Sequence, residues 1–228
     1  MRKILICLLG VVFGLQSMAA QETSEGQEAS WAQNSVRVRP RYFNLCYGNQ
    51  TFKIKDWGES LKSDYAFAIT RGRTYYLHKK PIVGLIKFGI DWTHFDLNFA
   101  TYTREYEDDQ VNGDPEIEKD NAYELEAAMH VGPSITISPV KGLNINGYFR
   151  YAPSFSGYYD SDDFYYNYAS FFVAGGAVSY KVISLGIESR WGNTEYKYDR
   201  EEDEAGNTVN EKVKIAVSGV RFYLSFRF

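Results

Sequence analysis

From Val36 to the end of the chain, apolar and polar residues alternate with a period of two, in runs rich in Val, Ile, Phe, Tyr and Thr. Alternation of this kind places successive side chains on opposite faces of an extended strand, so each run predicts a half-buried β-strand. No stretch of comparable length has the 3.6-residue apolar repeat of a helix. The pattern predicts eight strands, at residues 36–49, 64–78, 82–103, 122–138, 142–153, 164–181, 183–195 and 212–228.

The two faces differ most clearly in the last predicted strand. One face carries Ala216, Val220, Phe222, Leu224, Phe226 and Phe228, and the other carries Arg221, Tyr223, Ser225 and Arg227. In a closed sheet within a membrane, the apolar face would meet lipid and the polar face would line the lumen. In a soluble sandwich, the apolar face would instead form the core.

The second predicted strand departs from this division. Arg71 and Arg73 are odd-numbered like Phe67 and Ile69, so unbroken alternation would place all four on the same face of the strand. A β-bulge near Gly72 would separate the arginines from the apolar face.

The connections between the predicted strands alternate in length. Residues 78–81, 138–142 and 181–182 form short turns, whereas residues 50–63, 104–121, 154–163 and 195–211 form long polar connections. An outer-membrane barrel has this asymmetry, with short periplasmic turns and long extracellular loops. We therefore predict an all-β fold in which residues 36–228 form an eight-stranded up-and-down antiparallel transmembrane β-barrel.

Two further segments precede the predicted barrel. Residues 1–20 have the pattern of a secretory signal peptide, with Arg2 and Lys3 at the start, a short apolar stretch, and small residues at Ser17 and Ala19. Residues 21–35 are polar and non-periodic, which predicts a flexible periplasmic tail. Removal of the signal would leave Cys46 as the single cysteine, so we expect no internal disulfide.

The composition excludes several classes of protein. The chain has 29 acidic and 25 basic residues, and this excess of acid argues against a nucleic-acid partner, which would require clustered cations. Aromatic residues make up 17% of the chain, which is too many for a disordered protein. The most apolar stretch after the signal, residues 169–178, has about half the length of a membrane-spanning helix. A membrane location therefore requires a closed sheet.

The end of the chain introduces a resemblance to a known family. Residues 223–228 (YLSFRF) resemble the C-terminal strand of Gram-negative outer-membrane β-barrels, which ends on an aromatic residue. In that family the barrel-assembly machinery reads this strand. The resemblance therefore implies that Tyr223, Phe226 and Phe228 form an assembly signal and that the protein lies in the lipid of the outer membrane of a Gram-negative bacterium.

With the signal and the eight strands, the resemblance covers nearly the whole chain and is greatest to small barrels of the OmpA/OmpX type. Residues 88–92 (FGIDW) and 130–134 (HVGPS) are similar to uncharacterised outer-membrane proteins of gut bacteria. We expect no peptidoglycan-binding domain of the kind that full-length OmpA-like proteins carry.

The polar faces of the predicted strands would bring charges of both signs into the lumen. An eight-stranded barrel is just wide enough to be filled by side chains, and an unpaired charge in so narrow a space is costly. The sequence therefore favours a lumen closed by ion pairs over a narrow channel for ions or small solutes. The predicted network comprises Lys87, Arg150, Arg190, Arg221, Arg227, Asp91, Glu124, Glu126 and Glu188.

The histidines give little support to an enzymatic function, although some small outer-membrane barrels modify lipids with a His and a Ser near the outer leaflet. His78 lies beside a periplasmic turn, and His94 has no serine nearby. His130 and Ser134 would lie about 13 Å apart along a strand, beyond hydrogen-bond reach. We therefore expect no catalytic residues and no cofactor, and a lipid-modifying enzyme is the second alternative after a channel.

The long connections are the remaining candidates for binding. Acidic residues dominate residues 104–121 and 195–211, and divalent cations such as Ca²⁺ bind oxygen-rich clusters. Asp108, Asp109 and Asp114 are candidate ligands, but the EF-hand spacing is lacking and a solvated acidic loop is favoured. Tyrosines in residues 154–166 suit either an extracellular binding loop or, with Trp92 and Trp191, the outer aromatic girdle. We therefore expect a structural or surface-interaction role.

Overall fold

The computed structural model describes residues 38–54, 60–108, 116–160, 163–200 and 209–228. Eight β-strands account for most of these residues, which confirms the predicted number of strands. The strands are β1 (Arg41–Ile54), β2 (Ser60–Tyr76), β3 (Ile86–Asp108), β4 (Glu116–Val140), β5 (Leu143–Asp160), β6 (Asp163–Tyr180), β7 (Ile183–Arg200) and β8 (Val209–Arg227). The described residues contain no helix that is long and apolar enough to span a membrane.

The strands form a single closed antiparallel barrel. Each strand pairs with the next along the chain, and β8 returns to pair with β1. This last pairing runs from Tyr42 opposite Arg227 to Ile54 opposite Ile215. Because the sheet closes on itself, it has no unpaired edge strand. The predicted up-and-down antiparallel barrel is therefore confirmed.

The polarity of the barrel is inverted relative to that of a soluble protein. In β4, Glu124, Glu126 and His130 point into the lumen and are buried, while Leu125 and Met129 point outward and are more than half exposed. The same alternation holds in β5 and β8, where Arg150 and Arg221 are buried. Charged side chains thus fill the interior, and apolar side chains cover the outside.

At two β-bulges, the inward-facing positions of a strand change between odd-numbered and even-numbered residues. In β3, His94 and Phe95 are both exposed, and the register with β4 shifts between Thr93 and Asp96. In β2, Asp64 and Tyr65 are likewise both exposed. A bulge places two residues opposite one, so the residues that follow it swap faces.

The predicted bulge near Gly72 does not separate the two arginines of β2. The register between β2 and β3 does shift beside Gly72, but the extra residue, His94, belongs to β3. Alternation in β2 therefore continues without interruption past Gly72, with Gly72 and Thr74 inward and Arg71 and Arg73 on the outer face. Arg73 lies over the ring of Tyr75, 5.0 Å from its centre.

Most strands extend further than the apolar pattern predicted. The connection predicted at 154–163 is reduced to residues 161–162, whereas the turn predicted at 78–81 spans residues 77–85. Polar residues form ladder hydrogen bonds as well as apolar ones do, so the end of apolar alternation does not mark the end of a strand. We call the end with residues 77–85, 141–142 and 181–182 the turn end, and the opposite end the loop end.

Candidate functional site in the barrel lumen

A chain of alternating charges occupies the middle of the lumen. The Arg150 guanidinium lies 3.5 Å from Asp91 and 4.0 Å from Glu188. Arg221 lies 3.3 Å from the other oxygen of Glu188. Asp96 then accepts a 2.9 Å hydrogen bond from Arg221, and Nε2 of His130 lies 3.2 Å from the same oxygen. In order, the chain is Asp91, Arg150, Glu188, Arg221 and Asp96, and the imidazole of His130 lies against Asp96.

Hydroxyl groups supplement these ion pairs. Asp91 accepts hydrogen bonds from Tyr42 at 2.6 Å and from Thr74 at 2.9 Å. Glu188 accepts one from Tyr148 at 2.9 Å, and the Tyr148 ring also lies 3.5 Å below the Arg150 guanidinium. A buried carboxylate that keeps several donors is stabilised even in a low dielectric.

A second ion pair lies nearer the loop end. One nitrogen of Arg190 contacts both carboxylate oxygens of Glu126, at 2.6 and 2.7 Å. The guanidinium also lies 4.0 Å from the centre of the Phe171 ring. The side chains of this pair are only 4% and 1% exposed. The pair is therefore almost completely removed from solvent.

Glu124 precedes Glu126 on the same inward face but is held by neutral groups. Its oxygens accept hydrogen bonds from Tyr102 at 3.0 Å, from Ser156 at 3.1 Å and from the amide of Gln50. Glu124 therefore joins a network of amide and hydroxyl groups, not the predicted ion pairs.

Aromatic rings fill the lumen at the loop end. Phe52 and Tyr102 stack with their centres 4.7 Å apart, and Tyr158 lies 6.0 Å from Phe52 and 6.4 Å from Tyr102. Arg104 donates a 2.6 Å hydrogen bond to the Tyr158 hydroxyl. We call Phe52, Tyr102 and Tyr158 the aromatic cap; all three are buried. The sequence predicted Tyr158 in an extracellular binding loop or in the outer aromatic girdle, but β5 extends through this position and Tyr158 points into the lumen.

Lys87 and Arg227 lie on the lumen side but outside the network. Lys87 is half-buried and lies 5.3 Å from the centre of the Tyr76 ring. Arg227 is buried and lies 5.6 Å from the centre of the Tyr42 ring. Among the described residues neither forms an ion pair with a carboxylate.

Sequence reasoning missed Asp96, which is central to the network. Parity counted from Asp91 places Asp96 on the outer face, but the bulge at His94 and Phe95 returns it to the lumen. Its inclusion gives five buried acids in the lumen, where four were expected. His94 and Phe95 are a polar residue followed by an apolar one, as in ordinary alternation. The sequence therefore gave no sign of the bulge at this position.

The three histidines lie in three different environments. Nδ1 of His130 has no hydrogen-bond partner within the described residues. His94 is exposed on the outer face beside Trp92, and His78 lies at the turn end. Of the three, His130 is the one that contacts the ion-pair chain, through Asp96.

No group of three or more metal-ligating side chains occurs in the part of the chain that the structure describes. The candidate calcium ligands Asp109 and Asp114 lie outside the described residues, as does the side chain of Asp108.

The predicted assembly residues divide between the two faces of β8. Phe226 and Phe228 are exposed on the outer surface, where Trp92 and Trp191 also lie. Tyr223 points into the lumen, 3.0 Å from the Tyr148 hydroxyl. Of the three predicted assembly residues, only the two phenylalanines therefore belong to the apolar outer face of the strand.

Comparison with known proteins gave matches only among solved structures. No family model matches the chain, and no curated protein matches it. The fold is similar to that of Neisserial surface protein A, at 11% identity and a TM-score of 0.42, covering 82% of this chain and 97% of that one. It is also similar to the outer-membrane protease OmpT of Escherichia coli, at 9% identity and a TM-score of 0.43, covering 85% and 98%. The Yersinia pestis attachment invasion locus protein Ail, solved with the heparin analogue sucrose octasulfate, is 9% identical with a TM-score of 0.35, covering 82% and 99%.

Proposed function

We propose that this protein is an outer-membrane barrel with a closed lumen and a structural or surface-interaction role. The observation that carries the proposal is the inverted polarity of the barrel. Large apolar side chains are exposed on all eight strands, while the lumen holds five buried acids and four buried arginines. Exposed apolar area on this scale would make a soluble protein aggregate. In a bilayer, the same apolar surface is solvated by lipid.

The contents of the lumen support a closed barrel. Ion pairs link β3, β4, β5, β7 and β8 across the interior, and the aromatic cap packs at the loop end. A hydrated ion entering the lumen would have to displace buried pairs, which is costly in a low dielectric. The barrel therefore serves as a rigid support for its extended loop-end hairpins. Lipid and the barrel-assembly machinery are the partners that this role requires.

A planar lipid bilayer tests this proposal. The refolded protein is expected to insert and to give no steady conductance. Failure of the refolded protein to insert would contradict the membrane assignment. Steady open-state currents would contradict the closed lumen.

A narrow path for water or small ions is the second candidate function. Several buried polar atoms in the lumen lack a protein partner within the described residues, among them Asn98 Oδ1, Thr194 Oγ1 and Arg221 Nη2. Groups of this kind hold ordered water where space allows. Swelling of protein-containing vesicles in small solutes would favour this candidate over the closed barrel.

A further inference from the structure

Charge is distributed very unevenly along the barrel. Residues 38–54, 65–90, 127–159, 164–187 and 212–228, which include the whole turn end, contain no acidic residue. The acids that lie between these stretches toward the turn end, Asp91, Asp96 and Glu188, are buried in the lumen. The outer surface of this end therefore has no acidic side chain within the described residues.

Cations surround the same end. Arg41, Lys79, Lys80, Lys141 and Lys181 are all exposed there. Like charges gathered on one rim repel each other, and this repulsion is relieved by bound anions.

Two of these lysines are held side by side by the backbone. The amide of Lys181 donates a 2.8 Å hydrogen bond to the carbonyl of Gly142, which joins the β4–β5 turn to the β6–β7 turn. Gly142 has a φ of 87°, and a Cβ added there would lie 3.6 Å from Cγ of Lys181. The stem of Lys181 therefore runs beside the residue that follows Lys141.

Lys181 occupies an unusual backbone conformation. Its φ is 55°, in the left-handed region where glycine or asparagine is the usual residue of a tight turn. Its ammonium lies 5.2 Å from the centre of the Tyr180 ring. A lysine at this position places a cation at the turn end, which a glycine would not do.

An apolar surface continues directly from this lysine pair. Val140, Tyr180 and Ile183 are each more than half exposed on the outer face, and Leu143, Tyr180 and Ile183 lie opposite one another on adjacent strands. A ligand that fits both surfaces has an anionic head and a long apolar tail. Lysine stems of this kind extend along apolar surface while the ammonium groups reach a polar interface.

We propose that Lys141 and Lys181 bind the phosphate of an anionic phospholipid in the leaflet at the turn end, with its acyl chains against Val140, Tyr180 and Ile183. This inference rests on the proposed membrane location. Each basic residue near an anionic lipid surface strengthens attraction by about fivefold, so the two lysines together contribute about 25-fold.

The test compares phosphatidylglycerol with phosphatidylcholine of the same acyl chains, titrated into the refolded protein in a non-ionic detergent and counted by native mass spectrometry. The protein is expected to retain phosphatidylglycerol preferentially, and Lys141→Gln with Lys181→Gln is expected to reduce that retention by about 25-fold. The matched control, Lys53→Gln with Lys62→Gln, removes two exposed lysines nearer the loop end and is expected to retain the lipid as before.

Equal retention of the two lipids, or unchanged retention in the Lys141/Lys181 variant, would overturn the inference. The acidic segment 21–34, with Glu22, Glu25 and Glu28, is a competing occupant. Phosphatidylglycerol binding that appears only after removal of this segment would also overturn lipid as the occupant. Insertion of each variant into phosphatidylcholine vesicles is measured separately, because failure there contradicts the membrane location and not the lysine site.

Discussion

Replacement of Arg190 by Met should be among the most destabilising single changes in the lumen. Glu126 contacts Arg190 through both carboxylate oxygens, and Arg190 is the one cation that it contacts among the described residues. Met fills much of the same volume, so the change removes the charge with little cavity. Removal of one partner of a buried ion pair costs about 3–5 kcal/mol, because the other charge is left uncompensated.

The assay is urea unfolding of the refolded protein in phosphatidylcholine vesicles, followed by tryptophan fluorescence. With a urea m-value of about 3 kcal/mol/M, the upper end for small proteins, the expected loss lowers the midpoint by about 1–1.7 M. Arg150→Met should have a smaller effect, because Asp91 keeps its bonds from Tyr42 and Thr74 while Glu188 keeps Arg221 and Tyr148.

The double variant Arg190→Met with Glu126→Met should recover most of the lost stability, since replacing a whole buried pair by apolar side chains is often neutral or stabilising. The outward-facing Arg71→Met is the control for loss of an arginine. The reasoning is refuted if Arg190→Met lowers the midpoint no more than Arg71→Met, or if the double variant is as unstable as the single one.

Three further predictions concern packing, assembly and the loops. Gly186→Ala should destabilise the barrel by about 1–3 kcal/mol, because the new Cβ would lie 2.2 Å from the Tyr223 ring, whereas Gly147→Ala, with its nearest neighbour at 3.5 Å, should have little effect; equal midpoints would contradict this packing argument. Deletion of Phe228, or its replacement by Asp, should sharply reduce recovery in the outer-membrane fraction, and normal insertion would remove the assembly role. Calcium should leave protease cleavage of the loop-end connections unchanged at constant ionic strength. Saturable protection by calcium that is lost when Asp108, Asp109 and Asp114 are replaced by Asn would instead show a metal site there.

The number of strands, their order and most inward-facing residues could be predicted from sequence because the side-chain period in a strand is two. Glu126, Arg190 and Arg221 are therefore all buried where parity places them. The prediction failed where parity is interrupted. The bulge at His94 and Phe95 moved Asp96 into the network, and no local residue preference marks such a bulge.

The partners of each lumen residue could not be predicted from sequence. Parity shows that Glu124 and Glu126 face inward, but the contact of Glu126 with Arg190 and of Glu124 with Gln50 depends on how distant strands are staggered around the barrel. The aromatic cap was missed for a related reason. Tyr158 follows a polar stretch that looks like a loop, yet its backbone continues the ladder of β5 opposite Glu124.

The pairing of β1 with β8 has a consequence for the order in which the barrel folds. Tyr42 lies opposite Arg227, and Asn44 lies opposite Ser225, so the first strand finds its second neighbour only in the last strand. The seam therefore cannot form before β8 has been synthesised, and contacts so distant in sequence form slowly. Until β8 arrives, β1 presents an open edge and its apolar face to any other chain. Association with another chain therefore competes with formation of the seam for as long as the two end strands remain apart.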